Sequence, residues 1–378
     1  MPVLPDFKLE AYFSKWEFTA RYHMTGSDAQ SMTMDELLAM GSEEQRAAFK
    51  SQWLGYTETF GDPELRETIA GLYERMQSAD ILCFAGAGEG IYIAMHVLLE
   101  KGDHAIVVTP NYQSAETVPL SICEVSGVAL DPADGWSLDI DAVRAAIRPN
   151  TKLISINFPH NPTGKILERV RFDALVELCR QHGIWLFSDE VYRGLNIDGK
   201  AQLPAAADVY ERGLSLAVMS KAFGLPGLRI GWIACRDRAV ISRMERMKHY
   251  ISICNAAPSE SLAKIALQNS GRILERNNRL IAANLSKLQA LFAEFEGLFE
   301  WYTPDGGCVG YPRYRGADGV ENFARNLVES AGVLLLPASI YRSELNPTPD
   351  NRFRIGFGRA NIEEGIAAMR SYLIRNGQ

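Results

Sequence analysis

Five short apolar segments, rich in β-branched residues, limit what this chain can fold into more than any other feature. They span residues 105–109, 152–157, 184–188, 214–219 and 230–235. Segments of this length suit strands, and a run of consecutive apolar residues is typical of a strand that is buried on both faces. Such strands occur in parallel sheets that helices cover on both sides.

Amphipathic helical patterns lie between these segments. Residues 89–100 place apolar side chains on one face, and residues 171–182 do the same before ending at Gly183, a typical C-terminal cap. Strands that alternate with helices indicate an α/β fold with a doubly wound sheet. We therefore predict a mostly parallel sheet over about residues 65–260.

The rest of the chain has a different pattern. A long helical pattern over residues 259–295 is followed by short strand candidates and by a closing helix at 362–374. This order predicts a smaller α+β domain, completed by the N-terminal residues. We therefore divide the chain into an N-terminal segment (1–50), a large α/β domain (51–260) and a small C-terminal domain (261–378).

Charge and cysteine content disfavour several classes of protein. The 378 residues include 39 Lys and Arg against 46 Asp and Glu, a net charge of -7 that disfavours a nucleic-acid partner. Charged residues interrupt every apolar stretch before it reaches the length of a membrane span. The six cysteines form no Cys-x-x-Cys pair and no Cys/His cluster, so we expect free thiols, a cytoplasmic location and no metal site.

Polar and charged side chains come shortly after three of the predicted strands. They are Asn161, Asp189, Tyr192, Lys221 and Arg229. Ligands of open parallel sheets bind outside the carboxyl ends of the strands, so these residues are expected to share one site. A Lys amine forms a Schiff base with an aldehyde, a carboxylate keeps a pyridine nitrogen protonated, and Arg binds phosphate. The set therefore indicates pyridoxal 5'-phosphate (PLP) as cofactor.

Each of these residues also has a structural interpretation. A Lys after a strand is usually a solvated surface residue, and an Asp in this place often caps a helix. Residues 86–88 form either a plain turn or part of a phosphate site at a helix N-terminus. His160 either contacts a ligand or is hydrogen-bonded in the core. The order of the motifs along the chain favours the cofactor.

Residues 157–164, 189–192 and 220–231 resemble segments of the class I/II aminotransferases of PLP fold type I. Further matching segments, in the family's order, are 55–56, 61–66, 110–112 and 352–355. The resemblance implies an α/β fold of this type, with a doubly wound, mostly parallel sheet of seven strands and a smaller α+β domain built from both chain ends. It also implies an aminotransferase that moves the amino group of an L-amino acid to a 2-keto acid by a ping-pong mechanism.

The resemblance further implies roles around the cofactor ring. Lys221 would form the Schiff base and move the proton of the substrate Cα. Asp189 would hold the pyridine nitrogen, while Asn161 and Tyr192 would contact the phenolic oxygen. Tyr112 would stack on the ring.

Other implied roles concern the cofactor phosphate and the substrate. By resemblance, the phosphate would be bound by Ala87, Gly88, Ser220 and Arg229. Tyr56 would reach the phosphate of a neighbouring subunit, which implies a homodimer. Arg354 would bind the substrate α-carboxylate as a bidentate pair, with Asn161 beside it. Strand alternation places Arg352 and Arg354 on one face, and Arg359 is a further candidate, so only the resemblance selects Arg354.

The sequence departs from the family pattern at several positions. Val218 stands where Ser or Gly is usual, and Gly88 where a hydroxyl residue is common, so phosphate binding would depend more on backbone amides and on Arg229. Between Lys15 and Leu38 the usual glycine-proline substrate segment is absent. This region partly resembles an atypical branch of the family that includes amino-acid oxidases and cyclising enzymes.

The N-terminal segment affects the predicted function. We predict Trp16 and Glu17 as substrate-binding residues in a lid over the site, with an ordinary amphipathic helix as the alternative. A PLP-dependent lyase, cyclase or amino-acid oxidase is the second functional hypothesis. A non-catalytic binding module is the third, disfavoured because Lys221, Asp189 and Arg229 are all present.

Overall fold

The fold is described by a computed structural model, which covers residues 4–377. The α-helices are α1 Lys8–Trp16, α2 Met34–Leu38, α3 Glu43–Lys50, α4 Pro63–Ala70, α5 Ala87–Leu98, α6 Ser114–Leu120, α7 Ile140–Ala146, α8 Arg169–His182, α9 Ala206–Val209, α10 Arg238–Lys248, α11 Ala257–Gln268, α12 Ser270–Glu294, α13 Val320–Ala331 and α14 Ile362–Arg375. The strands are β1 Tyr22–His23, β2 Ile81–Phe84, β3 His104–Thr109, β4 Glu124–Ala129, β5 Thr151–Asn157, β6 Trp185–Asp189, β7 Gly213–Val218, β8 Gly231–Ala234, β9 Phe299–Glu300, β10 Val309–Gly310, β11 Arg313–Tyr314, β12 Val333–Leu334, β13 Leu336–Pro337 and β14 Phe353–Gly356.

A sheet of seven strands forms the centre of the molecule, in the order β2-β8-β7-β6-β5-β3-β4. β8 runs antiparallel to both of its neighbours, and all other adjacent pairs are parallel. Leu153 and Phe187 pack in one apolar cluster, whereas their neighbours in the same strands, Ile154 and Leu186, pack in another. Because successive side chains of a strand point to opposite faces, both faces of the sheet are covered, which confirms the predicted fold class.

The five apolar segments are the strands β3, β5, β6, β7 and β8, as predicted. The sequence analysis did not identify β2 and β4. β4 lies at the edge of the sheet with both terminal residues exposed, so it produces no long apolar run. β2 is a short, buried apolar run at the opposite edge, which the sequence analysis did not assign to a strand.

The helix predictions differ from the structure at their boundaries. α8 ends at Gly183 with φ +65°, as the cap predicted. α5 begins at Ala87, two residues before the predicted start. The single helical pattern over 259–295 is two helices, α11 and α12, separated at Asn269.

Both ends of the chain meet beside the large sheet. β1 pairs in parallel with β12, with Tyr22 opposite Val333. β14 lies between β10 and β13, antiparallel to each. The N-terminal segment therefore packs on the C-terminal elements, while the predicted domain boundaries stay a prediction. Within residues 4–377, no helix has both the length and the apolar character needed to cross a membrane.

Candidate active site

The carboxyl ends of β5, β6 and β7 bring the predicted site residues together. Asn157 ends β5 and Asp189 ends β6, and Lys221 follows β7. A cavity of about 280 Å³ opens at this edge of the sheet. The predicted residues that line the cavity are Ala87, Gly88, Tyr112, Asn161, Asp189, Tyr192, Ser220, Lys221 and Arg229.

Lys221 projects into this cavity. Its Nζ donates a hydrogen bond to Ser27 Oγ over 2.9 Å. Burial lowers the pKa of Lys221, with Arg354 acting in the same direction, while the negative charge of Asp28 opposes the shift. The amine is thus easier to deprotonate than a surface lysine.

Asp189 lies beside Lys221 at the same edge. Its Oδ1 accepts a hydrogen bond from the Val191 amide at 3.1 Å. Burial raises the pKa of Asp189 to about 7, against the opposing effects of that hydrogen bond and of Lys221. Among residues 4–377, no Lys, Arg or His forms an ion pair with this carboxylate. A cationic partner would therefore stabilise the negative charge of this buried acid.

A helix N-terminus and an arginine form one corner of the cavity. Gly86 precedes α5 with φ +101°, and a Cβ there would lie 2.4 Å from Arg229 Nη2. Arg229 Nη2 donates to the Ala85 carbonyl at 3.2 Å. The free amides at the start of α5 and the guanidinium together form the kind of site that binds phosphate. Glycine at position 86 leaves room for the guanidinium.

Arg354 lies directly behind Asn161, which lines the cavity. Only 1% of its surface is exposed, its Nη1 donates to Asn161 Oδ1 at 3.1 Å, and its Nη2 donates to the Thr25 carbonyl at 2.7 Å. Its buried Nε has no hydrogen-bond partner within the described residues. A buried guanidinium with an unused donor fits a carboxylate ligand.

The two competing arginines are occupied elsewhere. Arg352 lies 3.8 Å from Glu300 and packs over the Trp136 ring at 4.9 Å. Arg359 forms an ion pair with Asp28 at 2.9 Å. Of the three candidates, only Arg354 has no carboxylate partner in the part of the chain that the structure describes.

Two aromatic residues and a histidine complete the surroundings. Tyr192 is buried, and Tyr112 packs against Phe7 with ring centroids 5.2 Å apart. His160 uses both ring nitrogens, one with Thr163 Oγ1 and one with the Pro110 carbonyl, each at 2.8 Å. Burial lowers the pKa of His160 to about 4. The structure therefore supports the core interpretation of this histidine.

Four predicted residues do not line the cavity: Arg354, which lies behind Asn161, and Tyr56, Trp16 and Glu17. Tyr56 is 84% exposed on the surface of this subunit. Trp16 and Glu17 lie at the end of α1, where Glu17 faces His23 at 3.9 Å. The earlier turns of α1 line the cavity instead, through Leu9, Glu10 and Phe13.

The position of α1 has a local cause. The Lys8 amide donates to Gln113 Oε1, and Gln113 Nε2 donates to the Asp6 carbonyl, each at 2.8 Å. These bonds fix the start of α1 to the segment that carries Tyr112. The sequence contained no signal for this contact, because the two segments are 105 residues apart.

The sequence profile of aminotransferase class I and II matches residues 27–369. The chain belongs to this aminotransferase family. It is 26% identical to capreomycidine synthase of Streptomyces vinaceus, covering 97% of this chain and 93% of that protein. It is 30% identical to the probable N-succinyldiaminopimelate aminotransferase DapC of Mycobacterium tuberculosis, over 74% of this chain and 73% of the relative.

Solved structures agree with the family assignment. A PLP-dependent aminotransferase from Streptococcus suis superposes on this aminotransferase with a TM-score of 0.92 at 30% identity, covering 98% of each chain. The PLP-dependent cyclase OrfR shares the fold, with a TM-score of 0.89 at 23% identity over 100% of this chain and 99% of that chain. The predicted family and fold type are confirmed, and the protein is a PLP-dependent aminotransferase.

The cavity of this aminotransferase fits the cofactor. Asp189 is a buried acid with no cationic partner among residues 4–377, and it would suit the protonated pyridine nitrogen of the cofactor. The corner between Gly86 and Arg229 suits its phosphate, and Lys221 supplies an amine for its aldehyde. The roles of the individual residues stay predictions.

Proposed function

We propose that this aminotransferase moves the amino group of an L-amino acid to a 2-keto acid, with Lys221 as the residue that moves the proton of the substrate Cα. The observation that carries the proposal is that the amine of Lys221, the carboxylate of Asp189 and the guanidinium of Arg229 line one cavity. When bound, PLP supplies an aldehyde and an electron-withdrawing ring that stabilises negative charge at the substrate Cα.

Lys221 and Asp189 would act as a pair. Burial favours the neutral amine of Lys221, which can take a proton as a general base and return it to a neighbouring carbon. Asp189 would hold a proton on the cofactor's ring nitrogen, and the positive charge there would in turn lower the pKa of Asp189. Loss of either group should therefore slow proton transfer.

Four further residues would orient the cofactor ring and the substrate. Asn161 and Tyr192 would hold the phenolic oxygen, and Tyr112 would lie against the ring. Arg354 would bind the substrate α-carboxylate beside Asn161, to which it already donates a hydrogen bond. A planar guanidinium fixes a carboxylate by two parallel bonds, which would orient the Cα towards Lys221.

The phosphate would be bound at the start of α5. Arg229, the backbone amides of Ala87 and Gly88, and Ser220 all line this end of the cavity. Val218 is buried at the position where the family often has a hydroxyl, so the amides and Arg229 would contribute a larger share of the binding free energy.

The side chain of the substrate would lie against α1. Leu9 and Phe13 form apolar surface there, and Glu10 is the one charged lining residue, of those the structure describes, without a role at the cofactor. Trp16 and Glu17 would reach the substrate only through a movement of α1 towards the cavity. The names of the relatives state different substrates, and the screen with single amino acids identifies the substrate side chain that this site accepts.

A homodimer would complete the site. Tyr56 is exposed beside other exposed apolar side chains, and Thr57 Oγ1 donates to the Asn255 carbonyl at 3.0 Å, which brings two such segments together. The exposed apolar side chains of these segments are Trp53, Leu54, Tyr250, Ile251 and Ile253. A patch of this kind marks an interface, and Tyr56 would reach the partner's phosphate from it.

Mixed dimers would test this arrangement. We expect Lys221→Ala and Tyr56→Ala chains each to be impaired alone. In a mixed dimer, one of the two sites would have Lys221 from one chain and Tyr56 from the other. Co-expression should restore about half of the wild-type activity per mixed dimer, as two-fold symmetry requires. Failure to restore any activity would contradict the shared site.

A half-reaction screen tests the proposed function directly. The holoenzyme is mixed with single amino acids, and the absorbance of the bound cofactor reports its conversion to the amine form. Release of the matching keto acid, followed by recovery with a second keto acid, is the expected ping-pong result. If no amino acid converts the cofactor, transamination is wrong for this chain.

A cyclase or lyase on the same site is the second candidate. The observation that favours it is the whole-length similarity to capreomycidine synthase and to the cyclase OrfR. An amino-acid oxidase would use the same first proton transfer. In the same screen, elimination would release ammonia catalytically, cyclisation would yield a product without a free keto acid, and oxidation would consume oxygen.

The cellular location belongs to this proposal as well. All six cysteines are free thiols in the structure, and four of them are buried. This suits a reducing compartment, so we propose the cytoplasm.

A further inference from the structure

Ser27 makes the one side-chain hydrogen bond of the Lys221 amine that the structure describes within residues 4–377. Its Oγ lies 2.9 Å from Lys221 Nζ, and it lines the same cavity. Ser27 also faces the hydroxyl of Tyr192. The residue lies in the N-terminal segment, 194 positions from the lysine.

The backbone around Ser27 is held from two sides. On one side, the Ala29 amide donates to the Lys221 carbonyl at 3.1 Å. On the other, the Gly356 amide donates to the Met24 carbonyl at 2.9 Å, and a Cβ at Gly356 would lie 1.9 Å from the Gly26 carbonyl oxygen. The segment therefore passes tightly between the lysine loop and β14.

The flanking side chains fix the segment further. Arg354 Nη2 donates to the Thr25 carbonyl at 2.7 Å, and Asp28 is held by the guanidinium of Arg359 at 2.9 Å. One buried arginine, Arg354, and one partly exposed arginine, Arg359, thus bracket Ser27 along the chain. A hydroxyl held in this way is preorganised, so its bond to Lys221 costs little conformational entropy.

We propose that Ser27 is a positioning residue for Lys221: its Oγ accepts a hydrogen bond from Nζ and holds the amine at the place from which it moves the substrate proton. The inference rests on the proposed function. In the proton transfer, the neutral amine takes the proton from Cα and becomes an ammonium, and Ser27 Oγ accepts one N–H of that ammonium. Ser27 itself gains and loses no proton.

The charges around Lys221 determine the direction of the expected effect. Asp28 and Asp189 favour the protonated amine, Arg354 disfavours it, and Cys308 also faces it. A hydroxyl that accepts a hydrogen bond from the amine also favours its protonated form, because a hydrogen bond to the charged form stabilises that form. Removing the hydroxyl should lower the pKa of Lys221 and also leave the amine less well oriented.

The test compares Ser27→Ala with Ser27→Thr, which keeps a hydroxyl. Ser31→Ala is the matched control, since Ser31 belongs to the same segment and is exposed. The full-length protein without cofactor is labelled with a small acylating reagent at a series of pH values, and mass spectrometry of the Lys221 peptide gives the titration. We expect Ser27→Ala to lower the midpoint by about one pH unit, while Ser27→Thr and Ser31→Ala stay near wild type.

The holoenzyme gives a second measurement. The rate of the half-reaction should fall by roughly tenfold in Ser27→Ala with KM unchanged, and Ser27→Thr should recover most of it. An unchanged labelling midpoint in Ser27→Ala would overturn the proposal, as would a Thr variant as slow as the Ala variant. The labelling needs no substrate, so it reports on the Ser27 contact even if the proposed transamination is wrong.

Discussion

Arg354 Nη1 donates a hydrogen bond to Asn161 Oδ1 at 3.1 Å, and so connects the last strand of the chain with the loop after β5. This contact joins the residue proposed for the substrate carboxylate to one proposed for the cofactor. A substrate bound by Arg354 would therefore lie next to the ring that it must meet.

We expect Arg354→Lys to raise KM for the amino acid by roughly 10- to 100-fold, because a lysine cannot make the bidentate pair. The change in kcat should be smaller. Steady-state kinetics with the best amino acid from the half-reaction screen measures both. Arg313→Lys is the control, since Arg313 pairs with Glu300 away from the cavity. An unchanged KM in Arg354→Lys would indicate that another residue binds the substrate carboxylate.

Gly86→Ala should weaken PLP binding by about tenfold or more, because its Cβ would meet Arg229 Nη2 and the residue has φ +101°. Gly88→Ala is the matched control: a Cβ there meets nothing within 4 Å and the amide is kept. Titration of the cofactor-free protein with PLP gives both dissociation constants. Equal effects of the two substitutions would show that the corner at Arg229 is not the phosphate site.

Asp189 should make the stability of the cofactor-free protein depend on pH. Its pKa is raised from 3.8 to about 7 in the folded protein, so the folded state binds the extra proton between these values. The contribution is complete below about pH 4 and is lost as pH rises through 7.

Asp189→Asn removes this dependence. Between pH 5 and 8 the Tm of the wild type should fall more steeply, by on the order of a few degrees, than that of the variant. Glu260, whose pKa is also raised to about 7, contributes the same slope to both proteins. Thermal melts at several pH values are the measurement, and parallel curves would contradict the assignment.

Phe13→Ala and Trp16→Ala distinguish two interpretations of α1: that Phe13 forms part of the substrate pocket, or that Trp16 belongs to a lid over it. Phe13 lines the cavity and Trp16 does not, so the first substitution should raise KM by roughly tenfold and the second by less than about twofold. The same kinetic assay applies, with circular dichroism to check that both variants fold. A large effect of Trp16→Ala alone would instead favour a lid that closes on the substrate.

Much of the site was predictable because it follows the strands. Asp189 and Lys221 each lie at or just beyond the end of an apolar run, and parallel strands bring such ends to one edge. The family resemblance added roles for these residues and also singled out positions that the strand pattern did not, among them Tyr112, Tyr56 and Arg354. β4 escaped prediction because an edge strand needs no continuous apolar sequence.

The N-terminal contribution was not predictable. Ser27, Glu10 and Phe13 reach the cavity through contacts with residues far along the chain, and no local periodicity encodes such contacts. Trp16 was predicted from the atypical segment that replaces the usual glycine-proline sequence, yet the bond between Lys8 and Gln113 places earlier turns of α1 at the cavity.

The tight passage of Gly26 against Gly356 has a consequence for how the enzyme matures. The residues proposed to bind PLP all lie at or before Arg229, whereas the segment that carries Ser27 packs against β14, which is synthesised much later. A ribosome-bound fragment that ends before β14 would therefore contain Lys221 but would lack the packing that holds Ser27 beside it.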